Sequence, residues 1–271
     1  MRTGVEAALQ GGPGADPLAA AVARIPLRRA VDFEKDGRAV KLDRVVEAME
    51  MGRLNFLVRT GVLKVFLSQK LLPIIGQLSL QLRSPDSLTT MAPSCELLLS
   101  SSISDWDDRF IVIRQQVLSQ DSSRAVLAEA FVKSISFPVG SRQPFPPSAF
   151  FASMGHSCTD PSRGAVTPRL ELPPLEDSST FSGIVSISQL DYNIHMNNAR
   201  FFDVLQRARL AGPLPPRPVK ALTVEYLRSL QFRDPYNVSS SLALSSSGLL
   251  HQSITNSKTG KLSVLATTSF H

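Results

Sequence analysis

The chain has 271 residues, of which 43% are hydrophobic and 19% charged, and a formal net charge of +6. That balance suffices for a buried core and excludes wholesale disorder, while the positive excess suits an acidic partner without selecting one. No dense Lys/Arg run with interleaved aromatics occurs, so direct nucleic-acid binding is not expected; two cysteines, Cys95 and Cys158, make neither a disulfide framework nor a zinc-ligand set, and a reducing compartment is the default reading.

In chain order, residues 1–40 read as a flexible or targeting segment. "MRTGVEAALQGGPGADPLAAAVARIPLRRA" is rich in Ala and Arg and poor in acids. Organelle-targeting peptides and Gly/Pro-rich tails share that composition, so the expected location is mitochondrial or another organelle, with the cytoplasm as the alternative. Residues 41–63, "KLDRVVEAMEMGRLNFLVRTGVL", carry an apolar helical pattern. The stretch from Val62 to Leu82 is the most apolar, but Lys64, Gln69, Lys70, Pro73 and Gln77 interrupt it. A membrane span needs about 20 mostly uninterrupted apolar residues, so no transmembrane segment is expected. "RFIVIRQQVL" and "AVLAEAFVKSISF" flank "SQDSS" as a strand hairpin.

From Pro138 to Pro174 the chain carries eight of its 19 prolines. Proline fixes φ and removes a donor, so this stretch is expected to be neither helix nor central strand. It reads as an irregular linker over 139–180 that adds little to the core.

Residues 190–202 then read "LDYNIHMNNARFF". Asp191, Asn193, His195, Asn197 and Asn198 crowd against a helical stripe of Met196, Ala199, Phe202, Leu205 and Ala208. Gly212-Pro213 stops that helix. "ALTVEYLRSLQF" and "NVSSSLALSSS" follow as strands, and Asn256 to Gly260 turn a final hairpin.

The two flanking regions repeat each other. Residues 41–63 and "QLDYNIHMNNARFFDVLQRARL" (189–210) share a Leu-Asp pair, a Met and an Arg before an apolar helix, which aligns Arg53 with Arg200. "LSLQLRS" (78–84) echoes "LTVEYLRS" (222–229). A two-copy repeat of helix followed by antiparallel strands predicts an α+β unit with its sheet wrapped around the helix, present twice.

The motif D-x-N-x-H-M-N-N-A-R-F-F resembles the signature of hotdog-fold acyl-CoA and acyl-ACP thioesterases of the 4-hydroxybenzoyl-CoA-thioesterase-like superfamily. "LTVEYLRSLQFRDPYNV" resembles the strand that follows it, and "SDWDDRFIVIRQQVLSQD" resembles that family's later hairpin. The layout is similar to plant acyl-ACP thioesterases, double hotdogs with their catalytic motif in the C-terminal copy. The resemblance implies an α+β chain of two tandem hotdog units, forming an internal pseudo-dimer. Unit 1 spans 41–138 with its motif lost, and unit 2 spans 181–271 with the motif retained. In the first copy Ala48 is taken to stand at His195, and Glu50 and Met51 at the two Asn, so that copy reads as structural.

Thioester hydrolysis develops negative charge on the carbonyl oxygen, and a helix N-terminus offers free N–H groups and partial positive charge. Asn193 or Asn197 can cap the helix. Asp191 is expected as general base or nucleophile, His195 as the group that orients water or polarises the carbonyl, and Asn193 as the third member of the catalytic set. Met196, Asn197, Asn198 and Glu225 are expected to bind substrate. In the resembling plant enzymes an acid follows on the next strand; here Ser229 falls near its position, so the acid is either missing or displaced to Glu225. The expected substrate is an acyl-CoA or acyl-carrier-protein, with no cofactor and no metal. The alternatives are an inactive hotdog scaffold or accessory subunit with protein partners in a larger, mitochondrial assembly, and an acyl-binding regulator.

Overall fold

"IVIRQQVL" (111–118) buries Ile111, Ile113, Gln115 and Val117 and leaves the intervening residues more exposed, the period of two expected of a strand with one face on the core. Such alternation recurs through the chain. The computed structural model describes residues 20–27, 38–91, 96–106, 109–153, 170, 179–191, 193–212, 217–242 and 248–271. The strands are β1 (Ala21–Pro26), β2 (Leu71–Leu82), β3 (Glu96–Trp106), β4 (Ile111–Leu118), β5 (Val126–Pro138), β6 (Ser179–Ile184), β7 (Val219–Tyr226), β8 (Pro235–Leu242), β9 (Leu249–Asn256) and β10 (Lys261–Phe270). The helices are α1 (Leu42–Arg59), α2 (Val62–Ser68), α3 (Ser87–Met91), α4 (Pro147–Ser153) and α5 (Asn198–Ala211).

All ten of these strands form one sheet, in the order β1-β3-β4-β5-β2-β7-β10-β9-β8-β6. Read from either edge, the order of the five strands is the same, so the halves are related by a pseudo-two-fold axis at the β2–β7 seam. There Leu78 pairs with Val224 and Leu80 with Leu222, and between them the Thr223 hydroxyl donates to Ser79 Oγ at 3.1 Å. The strand repeat read from the sequence, Leu78 with Leu222, is thus symmetric about the seam.

Each half lays one long helix on its sheet. Gly52 lets α1 approach closely: a Cβ there would meet Leu99 Cδ1 at 2.9 Å. On the same face, Gln115 Nε2 donates to the Met49 carbonyl at 2.7 Å and to Ser101 Oγ at 3.0 Å. Gln252 Nε2 repeats this in the second half, reaching the Leu205 carbonyl at 3.1 Å and Ser240 Oγ at 3.0 Å. Met49 and Leu205 are therefore equivalent, which makes Arg53 the counterpart of Arg209 and not of Arg200. The helix starts agree, since Lys41 and Asn197 are both extended cap residues (φ −64°, ψ 140° and φ −61°, ψ 141°). The positions matching His195, Asn197 and Asn198 are Ala39, Lys41 and Leu42, not Ala48, Glu50 and Met51. The sequence match failed because the shared Leu-Asp pair falls inside α1 but before α5.

Two further expectations are corrected. Within 1–40, residues 21–26 are an edge strand, with Ala21 to Pro26 paired antiparallel to Ser101 to Glu96. Alternation in "AVARIP" buries Ala23 against the core. Residues 1–19, which carry most of the targeting expectation, lie outside the described residues. The Pro-rich linker contains a helix and adds to the core. Pro147 occupies the first position of α4, where a missing N–H leaves no bond unmade. Phe150 and Phe151 are buried, with Phe150 5.2 Å from the Phe66 ring and Phe151 4.8 Å from Trp106. The apolar stretch 62–82 divides into α2 and β2, and no described helix is long and apolar enough to cross a membrane.

Replacing Phe151 with Ala should destabilise the chain by about 3–5 kcal/mol, the cost of emptying an aromatic core position. Urea denaturation measures this, and a loss of about 0.5 kcal/mol or less, typical of a surface change, would return the linker to a peripheral role.

Candidate active site

The motif folds as a small closed turn ahead of α5. Leu190 bridges Met196, the Asp191 N–H donates to the His195 carbonyl at 2.8 Å, and the Ile194 N–H donates to the Asp191 carbonyl at 3.1 Å. Ile194 takes a left-handed φ of 63° to close it. The Asp191 side chain fastens the turn from within: its Oδ1 accepts the Asn193 N–H at 2.8 Å and the His195 N–H at 3.3 Å. The Met196 N–H donates to the Leu230 carbonyl at 2.7 Å, and His195 bridges Gln231, so the turn is also tied to the segment after β7.

His195 is half-buried, and its ring makes no hydrogen bond among the described residues, whereas Asn193 is exposed at the tip. Met196 is buried in the core, where it packs beneath the turn and makes no open contact surface.

Asn197 is the cap of α5. Its Oδ1 accepts the Ala199 N–H at 2.8 Å. Its own N–H goes to the Gln189 carbonyl at 2.8 Å, and its carbonyl accepts from the Arg200 N–H at 2.9 Å. The Asn198 N–H has no partner among the described residues and is the backbone donor left open at the helix start. From below, the Tyr226 hydroxyl donates to the Asn198 carbonyl at 3.3 Å, and the Phe201 and Tyr226 rings meet edge-on at 5.7 Å.

A carboxylate arrives from the other half. Asn197 Nδ2 donates to Glu50 Oε2 at 3.0 Å, across the seam from α1. The helices run antiparallel there, since Arg200, one turn further along α5, reaches back to Asp43 at 3.1 Å and Glu47 at 3.2 Å. Burial pushes the Glu50 carboxyl above its ordinary range, against the Arg53 guanidinium and the Asn197 hydrogen bond, which pull it down. Burial also raises the Tyr226 phenol well above its usual value, with the negative charge of Glu50 adding to the effect. Arg53 is buried beside them and donates to Gln115 Oε1 at 2.8 Å.

Asp191, Asn193, His195, Asn197 and Asn198 are thus held together, but Glu225 is not among them. Val224 and Tyr226 face the helices, so Glu225 points to the other side of the sheet, where it accepts the Leu170 N–H at 2.8 Å. Glu50, Arg53 and Tyr226 were not anticipated. The signal for them was a Glu and an Arg three residues apart on the apolar side of a helix, where neither charge is solvated. Among the described residues no group of His, Cys, Asp or Glu is placed to hold a metal ion.

No family model matches this sequence, and no curated protein matches it. Solved structures do. The chain is similar to an acyl-ACP thioesterase from Bacteroides thetaiotaomicron (11% identity, TM-score 0.70, 93% of this chain and 98% of that one). It is similar also to the 12:0-ACP thioesterase from Umbellularia californica (14% identity, TM-score 0.73, 93% and 97%). A third similarity is to the full-length peroxisomal multifunctional enzyme type 2 from Drosophila melanogaster (14% identity, TM-score 0.55, 93% and 48%). The chain therefore has the double-hotdog fold, an α+β architecture of two hotdog units in one continuous sheet. Identities this low carry the fold and leave the chemistry to the site.

Because the folded carboxyl of Glu50 is raised, its contribution to stability is complete below the ordinary Glu pKa and is lost as pH rises through the folded value. Glu50→Gln should therefore melt at or above the parent temperature at neutral and alkaline pH, with the gap closing in acid. Calorimetry across pH checks the sign; a variant that melts lower at pH 8 and matches the parent in acid would contradict it.

Proposed function

We propose that the chain is an acyl-thioester hydrolase acting on an acyl-CoA or an acyl-carrier-protein. One observation carries this reading: the turn that holds His195, whose ring has no hydrogen bond among the described residues, leads directly into the capped start of α5, where the Asn198 N–H has no partner among them either. A thioester carbonyl directed at the Asn198 N–H would meet a donor and the positive end of the α5 dipole as its charge develops. His195 would orient the attacking water or polarise the carbonyl. Asp191 would act through the turn, holding the His195 backbone with an oxygen already engaged by two amides. Asn193 at the exposed tip and Asn197 at the cap would border the bound thioester, with the acyl chain along the helix–sheet interface. The net charge of +6 suits the phosphates of CoA or an acidic carrier protein. Similarity to acyl-ACP thioesterases supports the carrier protein.

A second reading, an inactive scaffold or accessory subunit of a larger assembly, draws support from the same Asp191 bonds. A carboxylate that serves as a turn acceptor does not by itself indicate catalysis. The Ala/Arg-rich beginning of the chain supports an organelle, the mitochondrion first, as its location in either case.

Thiol release from a panel of acyl-CoA and acyl-carrier-protein substrates separates the readings. The hydrolase reading expects turnover by the parent and a drop of about 10²-fold or more in His195→Ala, the scale of a positioned acid–base group. Asp191→Asn, whose amide oxygen can still accept both N–H groups, should keep the parent fold by circular dichroism. A folded parent inert towards every thioester would leave the scaffold.

A further inference from the structure

The strand register brings several elements to one end of the sheet. Ile184 at the close of β6 pairs with Pro235 at the opening of β8, Asn256 pairs with both Tyr236 and Lys261, and Tyr226 at the close of β7 pairs with Val264. β2 begins and β5 finishes at the same end, where Leu71 pairs with Pro138. α5 starts there, tied through the Met196 N–H to Leu230, and the antiparallel α1 finishes there.

Exposed aliphatic side chains gather at this end. Ile187, Ile194 and Phe232 project from the loops of the second half, with Ile187 76% and Ile194 66% exposed. Leu67 at the end of α2, 72% exposed, and Leu72 and Ile74 at the start of β2 come from the first half. Because Asn197 meets Glu50, α1 runs on past the start of α5, and along this overhang Leu54 and Val58 are exposed as well. Ile194 is the sharpest case. Its φ of 63° is one that a β-branched residue adopts at a cost and Asn or Gly adopts readily, yet an aliphatic side chain stands in water at the tip of the motif turn.

The same end is basic. Lys64 and Lys70 lie either side of Leu67, Arg233 sets its guanidinium 5.1 Å from the Phe232 ring, Lys258 lies in the last hairpin turn and Lys261 just after it, and all five are exposed. Among the described residues no Asp or Glu is exposed there; the two acids that are exposed, Asp86 and Asp121, lie at the opposite end, after β2 and after β4.

We propose that this end of the molecule is a docking surface for an anionic lipid bilayer, with the aliphatic tips inserted at the headgroup boundary and the cations among the lipid phosphates. Interfacial binding draws on both, buried aliphatic area and attraction to the anionic leaflet. A protein partner fits less well, since protein interfaces favour aromatic side chains and arginine and are poor in lysine, whereas here the tips are mostly Ile, Leu and Val and the cations mostly Lys. With Ile194 inserted, the motif turn lies at the bilayer boundary, and the candidate active site faces a source of acyl chains.

Co-sedimentation of the full chain with lipid vesicles tests this without any thioester. Vesicles of equal parts phosphatidylcholine and phosphatidylserine should take up the parent, those of phosphatidylcholine alone should take up much less, and added salt should weaken the binding. The double variant Leu67→Ser with Ile187→Ser should lower the partition coefficient about tenfold or more, because two protruding aliphatic side chains are lost. Ile194→Asn, which suits the left-handed φ, should lower it as well while keeping the parent fold by circular dichroism. Lys64→Ser and Lys258→Ser should each cost about fivefold on the anionic vesicles and nothing on the neutral ones. Leu210→Ser and Arg124→Asn, at the opposite end, should match the parent. A parent that stays in solution with both kinds of vesicle overturns the proposal, and so does binding that the aliphatic and lysine variants leave unchanged. Capture of an acidic carrier protein in place of vesicles, lost in the same variants, would make this a protein interface and overturn the lipid assignment. None of these outcomes turns on thioesterase activity, so the docking surface and the hydrolase reading fail separately.

Discussion

The antiparallel pairing of β2 with β7 is the constraint on which the rest of the molecule depends. It joins two five-stranded half-sheets into one and fixes α1 and α5 side by side on the same face. Without it each helix would expose a flank, and the buried polar groups between them would have no partners. Arg200 bonds to Asp43 and Glu47, and Asn197 to Glu50, only because the strand register sets how far one helix slides along the other. The hydroxyl pair Thr223–Ser79 marks the centre of that register on the opposite face.

Burying charge at the seam costs stability. Desolvation raises both the Asp43 and Glu50 carboxyls, so the folded state would favour them neutral. For Asp43 the cost is partly offset by Arg44 and Arg200. Glu50 has Arg53, itself strained by burial, and a single amide. A glutamine would fold there with less strain, as Gln206 does at the related position. A group that stability alone would not choose, at the start of a capped helix, is where chemistry is sought.

Much of this was legible in the sequence because it is local. The cap at Asn197 depends on residues within a few positions, and its side-chain chemistry announces it; the turn from Asp191 to His195 is as local, but Asp191 reads there as a base and not as the acceptor that closes the turn. The β4–β5 and β9–β10 hairpins and the stop at Gly212 follow from alternation and turn residues in the same way. The strand repeat survived because Leu78 and Leu222 are anchored by the seam. The helix repeat did not, because short apolar-and-charged runs match in several registers and only the Gln115 and Gln252 bonds select one. Phe150 and Phe151 were hidden behind proline density, which signals broken hydrogen bonding and says nothing of where an aromatic side chain lands. The spacing of Glu50 and Arg53 on an apolar helix face marked them as unusual, but the pairing of Glu50 with Asn197 was out of reach, since that partner is 147 residues away. Glu225 was misplaced through a strand's parity: one residue either way would have faced the helices.

The central claim is that the second-half motif and the first-half helix make one site, on one side of the pseudo-two-fold axis. A crystal structure with a non-hydrolysable ketone analogue of an acyl-CoA, in which a methylene separates the sulfur from the carbonyl carbon, tests it most directly. The account predicts one ligand per chain, with its carbonyl oxygen about 3 Å from the Asn198 N–H, on the side of the seam where Asn197 meets Glu50. A ligand bound instead beside Lys41 and Gln206, or on the outer face near Glu225, would contradict it.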